Sequence, residues 1–103
     1  MKQKQNYKSF FEFYPFYLSE HKHRYNKLLH FLGTGSVIIL GTYFVLTENL
    51  HLMYILPLFG YGFAWTGHFL IEKNRPATFK HPFYSLMGDF VMFFDILRGK
   101  VKI

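Results

Sequence analysis

The sequence predicts an all-α protein, a small integral membrane domain in which a transmembrane hairpin is flanked by interfacial or re-entrant helices, about four helices in all. Half of its 103 residues are hydrophobic and 22% are aromatic, whereas only 17% are charged, compared with about 25% in a typical soluble domain. Every Lys and Arg lies within residues 1–27 or 73–102. A chain this short forms one domain, 1–103, whose core would be marginal in water without other support.

The distribution of basic residues predicts the topology. Under the positive-inside rule, both basic ends stay on the cytosolic side of a bacterial inner membrane or, in a eukaryote, of the endoplasmic reticulum. A nucleic-acid-binding protein would instead interleave its basic residues with the folded body, so the net charge of +6 does not indicate a nucleic-acid partner. The polar start of the chain leads into no immediate apolar run, so we expect no cleaved signal peptide there.

The first predicted helix covers Ser9 to Leu18, with the sequence SFFEFYPFYL. Ser9 can cap this helix, with Glu12 at the third helical position, and Pro15 would kink it. Because it lacks the roughly 20 apolar residues of a membrane span, we interpret it as an interfacial helix that lies on the lipid headgroups.

Two longer segments predict the hairpin, joined by the short turn TENLH. Leu28 to Thr47 and Leu50 to Ile71 are each long enough to cross a bilayer, and their glycines allow close helix packing. The fourth segment, Pro82 to Leu97, is apolar and aromatic but is interrupted by Asp89 and Asp95. It is predicted to be a second interfacial helix or a short re-entrant span.

Polar residues gather at the cytosolic ends of the hairpin. His68 and Glu72 are four residues apart, so on a helix they share a face and can present imidazole and carboxylate to one metal ion. Asn26 and His30 are also four apart, and an antiparallel hairpin makes His30 a neighbour of His68. His21 precedes His30 by nine residues and can join such a site only if the helix starts after it.

The residue types present limit which metal ion the site can bind and indicate where an anionic group would lie. Without cysteine, the ligands must be nitrogen and oxygen atoms, which suit Fe(II) or Zn(II), and a set with open positions favours oxygen chemistry on iron. The spacing alone does not choose the metal. Lys73, Arg75 and Lys80 follow just outside the span, where a lipid headgroup or a fatty-acid carboxylate would lie, although Arg75 and Lys80 are explained equally well as topology anchors.

Two motifs resemble those of the Mpo1-like family, and the resemblance covers nearly the whole chain. The first is H-x(4)-N-x(3)-H, present as His21, Asn26 and His30, and the second is G-H-x(3)-E-[KR]-x-R-P-A, from Gly67 to Ala77. The resemblance implies an integral membrane, Fe(II)-dependent dioxygenase. Such an oxidoreductase converts a 2-hydroxy fatty acid and O₂ into a fatty acid one carbon shorter and CO₂, a step of fatty acid α-oxidation.

Carried onto this chain, the resemblance implies a set of site residues. His21, His30 and His68 would be iron ligands, and Glu72 would be a fourth ligand or a partner that orients His68. Asn26 belongs to the same motif and is a candidate member of the catalytic set.

The resemblance also implies a substrate contact, with Arg75, and Lys73 beside it, holding the substrate carboxylate. His23 and His81 are further metal-ligand candidates, ranked below the three histidines of the motifs.

Two other functions stay open from the residues alone. One is a zinc-dependent membrane hydrolase of lipid amides or esters, in which Glu72 acts as general base on a metal-bound water. The other is a non-catalytic small membrane protein that packs against a partner. A homodimer that encloses the site is an additional hypothesis, because a hairpin with two appended helices could need a second copy to cover it.

Overall fold

The computed structural model describes residues 6–103, and this part of the chain is helical with no strand. The prediction of an all-α fold with four helices is confirmed. The first five residues of the chain lie outside the described range. The expectation that no signal peptide is cleaved there concerns these residues in part. The four α-helices are α1 (Phe10–Ser19), α2 (Arg24–Leu46), α3 (Ile55–Thr66) and α4 (Pro82–Leu97).

Helix α1 begins where the sequence predicts. The Ser9 side chain accepts a hydrogen bond from the Glu12 backbone N–H at 3.2 Å, which satisfies one of the free donors of the first turn. Pro15 lies inside the helix without ending it. The inner face of α1 packs against α4 and builds the hydrophobic core, whose buried members are Tyr7, Phe13, Phe16, Tyr17, Ala77 and Met92.

Helix α2 starts at Arg24, four residues before the predicted Leu28. The helix is capped by His23, whose Nδ1 accepts from the Tyr25 backbone N–H at 3.2 Å. This start leaves His21 in the loop before the helix, which is the condition that the sequence sets for it to join His30. By length and composition α2 is apolar enough to cross a membrane.

The segment Leu50–Ile71, which was predicted to form one crossing helix, differs from the prediction at its start. A 3₁₀ turn occupies Leu50–Leu52, α3 begins only at Ile55, and after 12 residues it continues as a π-helical segment, Gly67–Glu72. Pro57 explains the start, because its missing N–H falls among the first four positions of a helix, which have no intrahelical acceptor. Among the described residues, α2 is therefore the one helix long and apolar enough to span.

Helix α4 has the predicted bounds, with Pro82 in its first turn. The two acids that interrupt its apolar sequence have partners inside the fold. Asp95 accepts hydrogen bonds from the Tyr14 hydroxyl at 2.8 Å and from Arg98 at 2.5 Å, and Asp89 accepts from the Tyr17 hydroxyl. Since the bonds from Tyr14 and Tyr17 cross from α1 to α4, the two acids help to fix how α4 lies against α1.

Candidate metal centre

Three buried histidines meet where α1, α2 and the π-helical segment come together. His21 lies in the loop after α1, His30 on the second turn of α2, and His68 at the start of the π-helical segment. One ring nitrogen from each lies within 4.8 Å of the others, and the ring centroids are 4.3 to 4.9 Å apart. The predicted proximity of His30 and His68 is confirmed, and the group can hold one metal ion.

An acceptor at Nδ1 sets the tautomer of His21. The Tyr17 carbonyl oxygen lies 2.6 Å from His21 Nδ1. Asp89 Oδ1 lies 3.5 Å from His30 Nδ1, which is an ion-pair distance and too long for a strong hydrogen bond. An acceptor at Nδ1 keeps the proton there and leaves a lone pair on Nε2, as in a metal-ligating imidazole. Both Nε2 atoms are buried and have no hydrogen-bond partner among the described residues, a costly arrangement that a metal ion would relieve.

Electrostatics keep His21 neutral. Burial, followed by the neighbouring imidazoles of His30 and His68, lowers the pKa of His21 well below its ordinary value. Neutral imidazole is the form that binds metal, so this site needs little proton release when an ion enters.

His68 is oriented by Asn74, which the sequence analysis did not identify. Asn74 Oδ1 lies 2.7 Å from His68 Nδ1, and Asn74 Nδ2 donates to the Glu20 carbonyl oxygen at 3.1 Å. The Asn74 backbone N–H also donates to the His68 carbonyl oxygen at 3.0 Å. Asn74 therefore ties the π-helical segment to the end of α1. It occupies a variable position of the second motif, so the motif gave no signal for it.

Asn26 lies against the glycine that precedes His68. Its side chain is 0% exposed, and neither its Oδ1 nor its Nδ2 has a hydrogen-bond partner among the described residues. A Cβ added to Gly67 would lie 1.8 Å from Asn26 Oδ1, so only glycine allows this approach of the π-helical segment to α2. Gly67 and His68, the first two residues of the second motif, thus act together. The glycine allows the close contact with Asn26, and the histidine contributes its ring to the cluster.

Asp89 and Ser85 are further site residues that sequence reasoning missed. Both come from α4, and both line a small pocket of about 20 Å³ that the three histidines also line, large enough for one water-sized group. The Ser85 hydroxyl is buried without a hydrogen-bond partner in the described range. An acid inside an apolar helix was the available signal for Asp89. No comparable signal pointed to Ser85.

Other predicted site residues lie apart from this group. The Glu72 carboxylate accepts the backbone N–H of His23 and is not part of the histidine cluster, so the structure does not place it as a fourth ligand. Arg75 and Lys73 are exposed. The Arg75 guanidinium lies 5.6 Å from the centroid of the Phe79 ring, a cation–π contact.

The two additional histidines have other surroundings. His23 is exposed and caps α2, as described above. His81 is buried, with its ring 5.0 Å from that of Tyr7 and 5.5 Å from that of Phe13. Neither belongs to the cluster of three.

Comparison with known proteins identifies the family. A family model described as 2-hydroxy-palmitic acid dioxygenase Mpo1-like matches residues 7–101. The chain therefore belongs to the Mpo1-like family, and the resemblance seen in its two motifs is confirmed. No curated protein and no solved structure matches the chain. The family description suggests a dioxygenase of lipid metabolism that acts on a 2-hydroxy fatty acid.

Proposed function

We propose that this protein is an Fe(II)-dependent dioxygenase that converts a 2-hydroxy fatty acid and O₂ into a fatty acid one carbon shorter, CO₂ and water. The observation that carries the proposal is the convergence of three buried histidines, two of which have unpaired Nε2 atoms. The overall reaction balances as R–CHOH–COOH + O₂ → R–COOH + CO₂ + H₂O. All four electrons taken up by O₂ come from the substrate, so no separate reductant is required.

The histidines fit iron by chemistry as well as by position. His21, His30 and His68 would hold the ion, and bound iron would supply the redox chemistry with O₂. Three neutral imidazoles leave the charge of a divalent ion uncompensated, which favours an anionic substrate at the same place. In this assignment the Tyr17 carbonyl orients the His21 ring, and the Asp89 carboxylate places a negative charge beside the His30 ring.

The remaining polar groups of the site would bind and orient the substrate. The buried Ser85 hydroxyl lines the pocket at the histidines and is a donor at hand for the oxygens of a hydroxy acid, whereas the Asn26 amide acts through its contact with Gly67. Glu72 acts as a positioning residue, because its carboxylate holds the start of α2 and thereby His30. Arg75 and Lys73 would attract the anionic substrate at the surface, before it reaches the histidines.

We also propose that the protein is integral to a membrane as a hairpin, in which α2 crosses and α3 with the π-helical segment returns, so that both termini lie on the cytosolic side. Support comes from the 23 residues of α2 and from the apolar side chains that the hairpin leaves exposed. The substrate tail would then stay in lipid while its polar end meets the metal. A homodimer remains a hypothesis that crosslinking in mild detergent would test.

The test is the metal content of anaerobically purified protein in mild detergent, for wild type, His68→Ala and His51→Ala. His51 is exposed in the 3₁₀ turn and serves as the matched control. We expect iron in wild type and in His51→Ala, its loss in His68→Ala, and O₂ uptake equimolar with 2-hydroxypalmitate consumed.

Other results would point elsewhere. Stoichiometric zinc, together with hydrolysis of lipid amides or esters, would support the hydrolase and overturn the dioxygenase. Absence of any metal from the wild-type protein would favour a non-catalytic role.

A further inference from the structure

A second, larger cavity adjoins the small pocket at the histidines. It has a volume of about 210 Å³ and lies between α2, α3 and α4. Four residues line both spaces: His30, Tyr61, Ala64 and Asp89. Because the same side chains bound the pocket and the cavity, a ligand with its polar end at the histidines can extend directly into the cavity.

The cavity runs along the helices and away from the metal centre. On α2 its lining extends from His30 to Val37, about 10 Å at a rise of about 1.5 Å per residue. On α3 it extends from Ala64 back to Leu56, a similar length. The ionisable groups of its lining, His30 and Asp89, lie at the end that it shares with the pocket.

The lining beyond that end suits a hydrocarbon chain. Apart from the hydroxyl groups of Thr34 and Tyr61, it consists of apolar side chains and a glycine. We propose that this cavity holds the first part of the alkyl chain of the substrate, and that the residues at its far end decide how a long chain is accepted. The inference rests on the proposed function and adds the place of the tail to it.

The length of the cavity limits how much of the alkyl chain it can contact. About 10 Å corresponds to roughly eight carbons of an extended chain, given C–C bonds of about 1.5 Å. The rest of a longer tail would leave beyond Val37 and Leu56, toward the exposed apolar surface of the hairpin. A short hydroxy acid should therefore lie wholly inside the cavity, whereas 2-hydroxypalmitate must pass its far end.

Gly60 controls that passage, and Gly62 offers a matched control. A Cβ at Gly60 would lie 3.4 Å from Val37 Cγ2, so the two residues are neighbours in the cavity wall, and a leucine at position 60 would extend into the cavity and narrow it. A Cβ at Gly62, on the same helix, would meet nothing within 4 Å, and Gly62 does not line this cavity.

The experiment measures kcat/KM of the iron-loaded protein in detergent for 2-hydroxyhexanoate and 2-hydroxypalmitate. The four-carbon tail of the shorter acid ends before Gly60, about 6 Å along α3 from Ala64. We expect Gly60→Leu to lower the ratio of long-chain to short-chain activity by about 10-fold or more, the effect of methylenes that no longer fit an apolar pocket. Gly62→Leu should leave the ratio unchanged.

A second pair of variants and a second readout keep the test independent of the chemistry. Val37→Trp should act like Gly60→Leu, and Ile39→Trp, at a 71% exposed position of α2, should not. Long-chain 2-hydroxy acid should raise the melting temperature of the metal-free wild-type protein and of Gly62→Leu, but not that of Gly60→Leu.

The possible failures are distinguishable. Inactivity of the wild type toward both acids would refute the proposed function. The thermal shift would then test by itself whether the cavity binds the alkyl chain. The tail assignment is overturned if Gly60→Leu keeps the wild-type ratio, or if it loses activity toward both acids equally while retaining iron.

Discussion

Two regions of the molecule differ in how far their apolar side chains are exposed. Between α1 and α4, Phe13 and Met92 are 0% and 1% exposed, in a core of interlocking aromatic rings. On the α2–α3 hairpin, Ile39, Leu46 and Leu58 are 71%, 77% and 69% exposed. The first region is stabilised by its own packing, whereas the second has an apolar surface that needs apolar surroundings.

The metal centre lies at the boundary between these regions. His21 follows α1 and belongs to the packed region, while His30 and His68 come from the hairpin. The bond from Asn74 to the Glu20 carbonyl also crosses the boundary. An ion bound by all three histidines would therefore join a region stabilised by its own core to one stabilised by its environment.

The largest expected effect comes from breaking that junction with Gly67→Ala. The new Cβ would lie 1.8 Å from Asn26 Oδ1, so the π-helical segment must move away from α2 and take His68 with it. We expect loss of bound iron and a destabilisation of about 1–3 kcal/mol or more, the usual cost of overpacking. Iron analysis and thermal unfolding in detergent measure both effects.

Gly62→Ala is the control for this prediction, since its Cβ meets nothing within 4 Å. Equal iron content in the two alanine variants would show that the contact with Asn26 does not position His68.

Asp89→Asn is expected to have the next largest effect, because Asp89 connects the two regions through Tyr17 and His30. Loss of the carboxylate beside a ligating histidine typically lowers metal affinity or activity about 10- to 100-fold. Competition for iron with a chelator of known affinity would measure the change. Asp95→Asn, which alters an acid of the same helix away from the histidines, should leave iron affinity unchanged.

The parts of the site that could be predicted from sequence depended on local spacing and on one antiparallel hairpin. His30 and His68 meet because the two helices of the hairpin return to the same end, and His21 joins them because α2 starts after it. Asp89, Ser85 and Asn74 could not be predicted in the same way. Their positions depend on how α4 and the loop after the π-helical segment pack, which no periodicity encodes.

Glu72 and Pro57 illustrate the other limit. Helical spacing correctly relates Glu72 to His68 in sequence, yet its carboxylate turns to the free N–H at the start of α2, a partner about 50 residues away in the chain. Hydropathy predicted a continuous second span, but Pro57 delays α3 to Ile55. Both differences arise in the first turn of a helix, where backbone N–H groups have no acceptor within the helix. At α2 such an N–H binds Glu72, and at α3 the first turn accommodates Pro57, which has no N–H.

The smallest expected effect lies inside the packed region, at Asp95. Burial opposes ionisation of this carboxyl, but hydrogen bonds from Tyr14 and Arg98 outweigh it and lower the pKa of Asp95 below its ordinary value of 3.8. A group whose pKa falls on folding stabilises the protein above its unfolded pKa, and that stabilisation is lost as the pH drops through the folded pKa.

Asp95→Asn should therefore lower the free energy of unfolding by about 0.5–1 kcal/mol at neutral pH, because Arg98 is 58% exposed and its pair with Asp95 is screened by water. The difference from wild type should shrink as the pH falls below about 4, where the wild-type carboxylate becomes protonated. Thermal unfolding in detergent between pH 3 and 7 provides the comparison. A gap that stays constant over this range would mean that packing, and not the charge of Asp95, holds α4 against α1, so that the packed region would owe its stability to apolar contacts alone.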